Sequence, residues 1–515
     1  MFALRSIRIL HRWLFLLAVI ALAPQATQAQ EKATRFQLTF GREVTAKPFT
    51  GRVFVIASRK PVKELPPRPN WFGPEPFFAQ DVKNWMPGES LSFGASAIGF
   101  PIVPVSSDGK ETTIQLPAGK YFIQAVMDMD LGGPSSIGSP GNGFSKPLAV
   151  TVPPARDEPI ALHIDQLYPD RVFKEKERVK LVSIESKLLS NFHGKPIRLR
   201  AGVVLPKSFA ADPDRKYPVV YEIPGFGGDH FASFGAETRG NTDVAGVEMI
   251  YVILDPACRT GHHVFADSAN NGPYGQALIE ELIPHLEAKY RALAQPAARI
   301  LTGHSSGGWS SLWLQTTYPD FFGGTWSTAP DPVDFRDFQK VNVYQPGNNI
   351  FFDDKNERRP IARRGEMPVL WYKPFSDMED VMGRGGQLQS FEAVFSPRGP
   401  DGQPRKLWDR RTGKIDPEVA RTWEKYDIRL NLERNWKTLG PKLSGKIHVY
   451  MGSLDTFYLE GATVLLQKSQ KELSSDAVIE IFAGKDHGTL MDARMRTRIA
   501  QEMAASFRKT AAGGQ

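Results

Sequence analysis

The residues best suited to chemistry lie where a serine stands between two glycines. Gly303, Ser305 and Gly307 form a G-x-S-x-G pattern, which holds a serine on a sharp turn between a strand and a helix. The surroundings agree, because a short apolar run precedes the motif and Trp309–Tyr318 has the pattern of a helix. We therefore predict that Ser305 is a nucleophile.

A serine hydroxyl needs a base to accept its proton, and that base needs an acid to orient it. After a serine turn of this kind, the acid comes next along the chain and the histidine last. Only two histidines follow Ser305. His448 lies inside an apolar run and is expected to be a buried strand residue, whereas His487 follows the last candidate strand. We predict that His487 is the base.

Three aspartates compete for the role of the acid. Asp455 follows the strand Ile447–Tyr450 and should emerge at the carboxyl end of the penultimate strand, beside His487. Asp331 and Asp334 lie on the loop after the strand next to the serine. Strand position favours Asp455.

Attack by the serine on an acyl carbon creates a negative oxygen, which two backbone N–H groups would stabilise. One predicted donor is Ser306, directly after the nucleophile at a helix N-terminus. The other is Phe226, in the glycine-rich loop 224–228 that follows an early strand. A simple tight turn is the alternative interpretation of that loop.

The second part of the chain, residues 176–515, alternates apolar strands with helical patterns. This alternation predicts a doubly wound, mostly parallel α/β sheet. Its candidate strands are Ile197–Leu205, Pro218–Ile223, Ile250–Leu254, Ile300–Leu301, Ile447–Tyr450 and Val478–Phe482, with a helix at Tyr274–Ala288. Residues 331–440 interrupt the alternation and have no good strand pattern before Trp423–Leu439, which has the pattern of a helix. Such an insertion usually lies over the carboxyl ends of the strands, so we expect a cap above the serine.

Residues 30–175 have a different pattern from the second part of the chain, with short predicted strands separated by Pro/Gly turns. The candidates are Arg35–Phe40, Arg52–Ser58, Thr112–Leu116, Tyr121–Met127, Leu148–Val152 and Ile160–Ile164. No helical periodicity of useful length interrupts them. We predict a small all-β, sandwich-like domain.

Residues 1–29 have the pattern of an export signal. Three arginines precede the apolar run Trp13–Ala23, and small residues lead to a cleavage site before Gln30. The run has 11 residues, whereas a spanning helix needs about 20. We expect a cleaved signal, no stable membrane anchor, and a periplasmic or secreted protein.

Composition excludes several other classes. Of the 515 residues, 41% are hydrophobic and 23% charged, which excludes gross disorder and a polytopic membrane protein. The chain has a net charge of +8 but no dense stripe of lysines and arginines, so nucleic-acid binding is not expected. The single cysteine, Cys258, excludes an intrachain disulfide. His262 and His263, near Asp267, lack a spaced third ligand, and we predict neither metal nor cofactor.

Five segments together carry a family resemblance: YPVVY at 217–221, PGFGG at 224–228, GHSSGG at 303–308, GSLDTFY at 452–458 and KDHG at 485–488. They resemble the bacterial "putative esterase" family, which contains feruloyl and acetylxylan esterases, S-formylglutathione hydrolase, mycolyltransferases and enterochelin esterase. The resemblance spans roughly residues 180–505. It implies an α/β-hydrolase fold with Ser305, Asp455 and His487 as the triad, and the preceding β-domain is similar to the layout of enterochelin esterases. Two departures are Pro224, where a histidine is usual, and the long insertion.

The sequence thus predicts an exported serine esterase that hydrolyses carboxylic esters through an acyl-enzyme. Its expected partner is a small-molecule or carbohydrate-linked ester. One alternative is an acyltransferase with the same triad. Another is a non-catalytic protein that binds a carbohydrate or a partner on a hydrolase scaffold, against which the intact triad argues.

Overall fold

The computed structural model describes residues 33–106, 112–153 and 158–512, and most strands in these ranges belong to two large sheets. The predicted export signal, residues 1–29, lies outside the described residues. Within the described ranges, no helix combines the length and the apolar character that crossing a bilayer requires.

The first sheet is built from the N-terminal strands. Its order is β4-β1-β11-β9-β8-β2-β3-β5, and β10 also pairs with β8. The pairs are antiparallel except β1 with β11. The strands of this part of the chain are β1 (Phe36–Phe40), β2 (Phe49–Ser58), β3 (Phe77–Trp85), β4 (Leu91–Phe93), β5 (Ile98–Phe100), β6 (Val105–Ser106), β7 (Thr112–Thr113), β8 (Gly119–Met127), β9 (Gly143–Ser145), β10 (Leu148–Val152) and β11 (Ile160–Leu167). Of these, β6 and β7 form a separate two-stranded sheet. The strands β3, β4, β5, β6 and β9 were not predicted from the sequence.

Strand β2 has buried side chains on both faces of the N-terminal sheet. Because successive side chains of a strand point to opposite sides, Val53 and Val55 enter a core formed within the N-terminal strands. Phe54 and Ile56 enter a different core, which they share with buried side chains between Val333 and Ile479. The N-terminal sheet is therefore packed directly against the second part of the chain.

The second sheet has the order β12-β13-β17-β14-β22-β23-β26-β27. Strand β13 is antiparallel to both of its neighbours, and the other pairs are parallel. This is the mostly parallel α/β sheet that the sequence predicts. The strands of the second part of the chain are β12 (Val179–Glu185), β13 (Arg198–Val204), β14 (Val219–Ile223), β15 (Asp243–Val244), β16 (Val247–Glu248), β17 (Ile250–Leu254), β18 (Ala257–Cys258), β19 (Gly261–His262), β20 (Asp267–Ser268), β21 (Gly272–Pro273), β22 (Arg299–His304), β23 (Gly324–Thr328), β24 (Pro360–Arg364), β25 (Met367–Trp371), β26 (Ile447–Gly452) and β27 (Val478–Phe482). The pairs β15–β16, β18–β19, β20–β21 and β24–β25 are separate two-stranded sheets.

The helices lie between these strands and in the insertion. They are α1 (Lys187–His193), α2 (Ser233–Thr238), α3 (Tyr274–Ala277), α4 (Ile283–Tyr290), α5 (Ser306–Thr317), α6 (Tyr372–Met382), α7 (Gln387–Phe395), α8 (Pro417–Trp423), α9 (Ile428–Leu443), α10 (Glu460–Glu472) and α11 (Ala493–Ala512), with a π-helical segment at Leu278–Leu282. The predicted helix Trp423–Leu439 is wrong in its bounds. Helix α8 ends at Trp423, and α9 begins at Ile428 because the Asp427 side chain accepts the N–H of Leu430 and caps the new helix.

The insertion, between β23 and β26, is more ordered than expected. It contains the hairpin β24–β25, which the sequence analysis missed, and the helices α6 to α9. Phe335, Ile350 and Trp423 are fully buried and share one core with Phe54 of the N-terminal sheet. The insertion is therefore part of the main core, and replacing it by a short linker would expose that core to water.

Candidate active site

Ser305 occupies the turn between β22 and α5. Its backbone has φ 60° and ψ −126°, a conformation that costs a residue with a side chain about 1–3 kcal/mol. The turn is held from both sides, because the Ser305 N–H donates to Thr328 O at 3.0 Å and its carbonyl accepts the N–H of Trp309 at 3.0 Å. The side chain faces a cavity at the carboxyl end of the sheet.

The positions of Gly303 and Gly307 require glycine because neighbouring backbone atoms leave no room for a side chain, and not because the backbone there must be flexible. A Cβ atom at Gly303 would lie 2.1 Å from Gly307 O, and one at Gly307 would lie 1.8 Å from Ile223 O. Any side chain would therefore separate α5 from the two strands beside it. This is the tight strand–turn–helix that the sequence pattern indicates.

His487 and Asp455 lie together at the same end of the sheet. His487 Nδ1 is 2.7 Å from Asp455 Oδ2, and the fully buried carboxylate also accepts the Phe457 N–H at 2.8 Å. Burial opposes protonation of His487, but the charge and hydrogen bond of Asp455, with the charge of Asp331, hold its pKa above the ordinary value. The imidazole is thus prepared to accept a proton.

The competing aspartates lie in two different places. Asp334 is buried against Arg429, with Nε 3.1 Å from its Oδ2, and belongs to the insertion's packing. Asp331 lies at the cavity, where its Oδ1 is 3.5 Å from Ser305 Oγ and its Oδ2 accepts the Ser306 hydroxyl at 2.5 Å. Burial raises the pKa of Asp331 to about 6. His487 has its hydrogen bond with Asp455, not with Asp331.

The glycine-rich loop 224–228 borders the cavity through Gly225 and Phe226. The loop is braced by His262, whose Nε2 donates to Pro224 O at 3.0 Å while its Nδ1 accepts the Val264 N–H at 3.0 Å. Burial lowers the pKa of His262 to about 4, so the ring stays neutral. From the sequence, His262 was weighed as a metal ligand and rejected in favour of a loop residue near the pocket, and its contact with Pro224 was not predicted. Among the described residues, no three His, Cys, Asp or Glu side chains are grouped to hold a metal.

The cavity has a volume of about 240 Å³ and is walled mainly by apolar side chains. It is lined by Trp71, Gly225, Phe226, His304, Ser305, Asp331, Gln339, Ile361, Leu370, Phe375, Gln387, Phe391, Phe457, Leu459 and His487. The insertion contributes several of these residues, including aromatic ones. The arginines of the insertion are not among them, and Arg363 instead donates to Asp455 O at 2.9 Å.

Trp71 is the contribution of the N-terminal part to this cavity. Its ring centroid lies 5.8 Å from that of Phe226, 5.1 Å from Phe375 and 6.0 Å from Phe457. The segment carrying it runs between β2 and β3 and is tied down, since Tyr168 Oη donates to Pro66 O at 3.2 Å. Nothing in the sequence signals this contact, because it joins residues far apart in the chain.

A family model described as "Putative esterase" matches residues 196–489. Because this match covers more than half of the chain, the protein belongs to that family and is a serine ester hydrolase of the α/β-hydrolase fold class. A search of the curated proteins found no match.

Among solved structures, the chain is similar to a ferulic acid esterase, with 15% identity over 64% of this chain and 99% of the other and a TM-score of 0.40. It is also similar to an S-formylglutathione hydrolase from Agrobacterium tumefaciens, with 14% identity over 64% and 95% of the chains and a TM-score of 0.40. A fluorophosphonate-binding serine hydrolase of Staphylococcus aureus matches with 10% identity over 64% and 98% and a TM-score of 0.39.

The packing of the turn predicts that Gly307→Ala destabilises the protein. The added Cβ meets backbone at 1.8 Å, and such overpacking costs about 3 kcal/mol. Thermal unfolding followed by circular dichroism should show a lower melting temperature. Gly73→Ala is the control, because its Cβ would meet nothing within 4 Å. Equal melting temperatures for the two variants would contradict this account of the turn.

The position of Trp71 predicts a role in size selection. Trp71→Ala should enlarge the cavity and raise the ratio of kcat/KM for p-nitrophenyl octanoate to that for p-nitrophenyl acetate by about tenfold. Leu65→Ala is the matched control, because Leu65 lies in the same segment but is 47% exposed and does not line the cavity. An unchanged ratio in folded Trp71→Ala would show that other residues limit substrate size.

Proposed function

We propose that this protein hydrolyses carboxylic esters through a triad of Ser305, His487 and Asp455. The observation that carries the proposal is the 2.7 Å pair of His487 with buried Asp455, at the cavity into which Ser305 faces. An imidazole held by a buried carboxylate is the base that a serine hydroxyl needs.

In the proposed reaction, Ser305 Oγ attacks the ester carbonyl carbon while His487 Nε2 takes the hydroxyl proton. The carbonyl oxygen becomes an oxyanion, stabilised by the backbone N–H groups of Phe226 and Ser306. The bond from the acyl carbon to the alcohol oxygen then breaks, and His487 gives its proton to the leaving alcohol. Water, deprotonated by His487, attacks the acyl-enzyme and releases the acid and free Ser305.

Residues outside the triad have supporting roles in this proposal. The positive charge on His487 in the transition state is balanced by Asp455, which is itself held by Arg363 through its backbone carbonyl. His262 keeps the donor loop in place through Pro224 O. No cofactor takes part in any step.

The proposal includes export and a two-part organisation. The signal pattern at residues 1–29 supports a periplasmic or secreted enzyme without a stable membrane anchor. Residues 30–175 would form a β-sandwich-like domain in front of the hydrolase domain at 176–515, supported by the sheet that β1 to β5 and β8 to β11 form. The expected substrates are small-molecule or carbohydrate-linked esters.

The nucleophile is tested by Ser305→Ala. Without the hydroxyl no acyl-enzyme forms, and kcat for p-nitrophenyl acetate should fall by about 10⁴ or more. A fluorophosphonate should label Ser305 in the native protein, as read by peptide mass spectrometry, and should not label the variant. Ser92→Ala, at an exposed position of β4, serves as the control. Near-native turnover by Ser305→Ala would refute the triad.

The acid is tested by Asp455→Asn, which should lower kcat for p-nitrophenyl acetate by about 10³ to 10⁴ because the imidazolium loses its buried partner. Asp331→Asn should cost much less, since His487 is not hydrogen-bonded to it. The reverse order of the two effects would assign the acid to the loop after β23.

The raised pKa of His487 predicts the acid limb of the pH profile. Only neutral His487 can accept the serine proton, so kcat/KM should fall as the pH is lowered through a midpoint above the ordinary histidine value of 6.5. A midpoint below that value would mean that the two carboxylates do not act on the imidazole.

A further inference from the structure

The proposed reaction leaves two ionisable side chains of the cavity without a role, His304 and Asp331. Burial lowers the pKa of His304 to about 3, so its ring stays neutral, and Asp331 is the one of the two that can carry a charge. Asp331 lines the cavity, is only 5% exposed, and is not the partner of His487. Of the described residues that line this cavity, none is a lysine or an arginine. The carboxylate therefore faces the substrate space without a permanent positive charge beside it.

The hydrogen-bond partners of Asp331 in the described part of the chain are neutral. Ser306 Oγ donates at 2.5 Å, Gln387 Nε2 at 3.4 Å and Ser305 Oγ at 3.5 Å. Burying a carboxylate is costly unless a positive charge compensates for it. The same burial raises its pKa to about 6, so the group is still mainly ionised at neutral pH.

A second acceptor lies beside this carboxylate. Gln387 also lines the cavity, and its Oε1 is buried without a hydrogen-bond partner among the described residues. Asp331 and Gln387 both line the cavity beside Ser305, so a carboxylate and this amide oxygen lie close together at this wall. An anionic group would be repelled there, and a cation would be attracted.

The rest of the cavity wall suits an organic cation. Five aromatic side chains line it, and aromatic rings attract quaternary and protonated ammonium groups by cation–π interaction while offering no competing hydrogen bonds. They are Trp71, Phe226, Phe375, Phe391 and Phe457. The cavity volume of about 240 Å³ admits a small head group.

We infer that the cavity selects esters that carry an ammonium group, held by Asp331 and the aromatic wall. This inference rests on the proposed function, because the ester must reach Ser305. The ammonium group can belong to the alcohol part or to the acid part of the ester, because both parts occupy the same cavity. The test therefore includes one pair of esters for each case.

The experiment compares isosteric pairs in the full-length protein. Acetylcholine is paired with 3,3-dimethylbutyl acetate, and glycine betaine ethyl ester with ethyl 3,3-dimethylbutanoate. Each kcat/KM is divided by the rate constant for alkaline hydrolysis of the same ester, which removes the difference in intrinsic reactivity. Each pair differs in the exchange of a cationic nitrogen for a neutral carbon. We expect kcat/KM to be at least tenfold higher for the cation in one of the pairs.

Asp331→Asn tests the residue, because it removes the charge and keeps the shape. The cation-to-neutral ratio should fall toward one in the variant. Asp377→Asn is the control, since it removes the same charge from a partly exposed site on α6 and should leave the ratio as in the native protein. If Asp331 acted only on His487, the variant would lower kcat/KM for both esters of a pair by the same factor, and the ratio would stay unchanged.

A measurement on the native protein covers the case in which Asp331→Asn does not fold. Tetramethylammonium should slow the labelling of Ser305 by a fluorophosphonate, and neutral tert-butanol at the same concentration should not. Equal effects of the two competitors would overturn the inference, as would equal turnover of cationic and neutral esters. Failure of the native protein to hydrolyse any ester, p-nitrophenyl acetate included, would instead overturn the proposed function.

Discussion

The close approach of α5 to β22 and β14 is the constraint on which the site depends. Gly307 leaves no room for a side chain against Ile223 O, and Gly303 leaves none against Gly307. This contact directs the chain through the strained conformation of Ser305 and points the hydroxyl into the cavity. It also places the Ser306 N–H at the start of a helix, beside the loop 224–228. One packing requirement thus positions the proposed nucleophile and both proposed oxyanion donors.

Two buried carboxylates near one imidazole have different environments and therefore different roles. Asp455 is hydrogen-bonded to His487 and to a backbone N–H, which keeps its charge where the imidazolium forms. Asp331 meets hydroxyl and amide donors on the cavity wall. In our further inference this charge attracts a cationic substrate, and it also contributes to the raised pKa of His487. Environment, rather than residue type, separates the two.

The cavity is assembled from distant parts of the chain. Trp71 comes from the N-terminal part, Phe226 from the loop after β14, and Phe375 and Phe391 from the insertion. The insertion and the N-terminal sheet share one hydrophobic core, which includes Phe54 and Trp423. The parts that shape the cavity are therefore held by the same packing that stabilises the fold, and specificity cannot be altered by removing a whole segment.

The sequence by itself determined the parallel sheet, the position of the serine turn and the class of chemistry. These follow from local patterns: apolar strands alternating with helices, and glycines two residues either side of Ser305. Asp455 and His487 could be expected near each other because both follow neighbouring strands. Tertiary structure alone decided that Trp71 enters the cavity, that His262 braces the loop at Pro224, and that Asp331 lines the cavity while Asp334 pairs with Arg429. Contacts between residues far apart in the chain leave no periodicity or motif, because packing selects them only after the elements have come together.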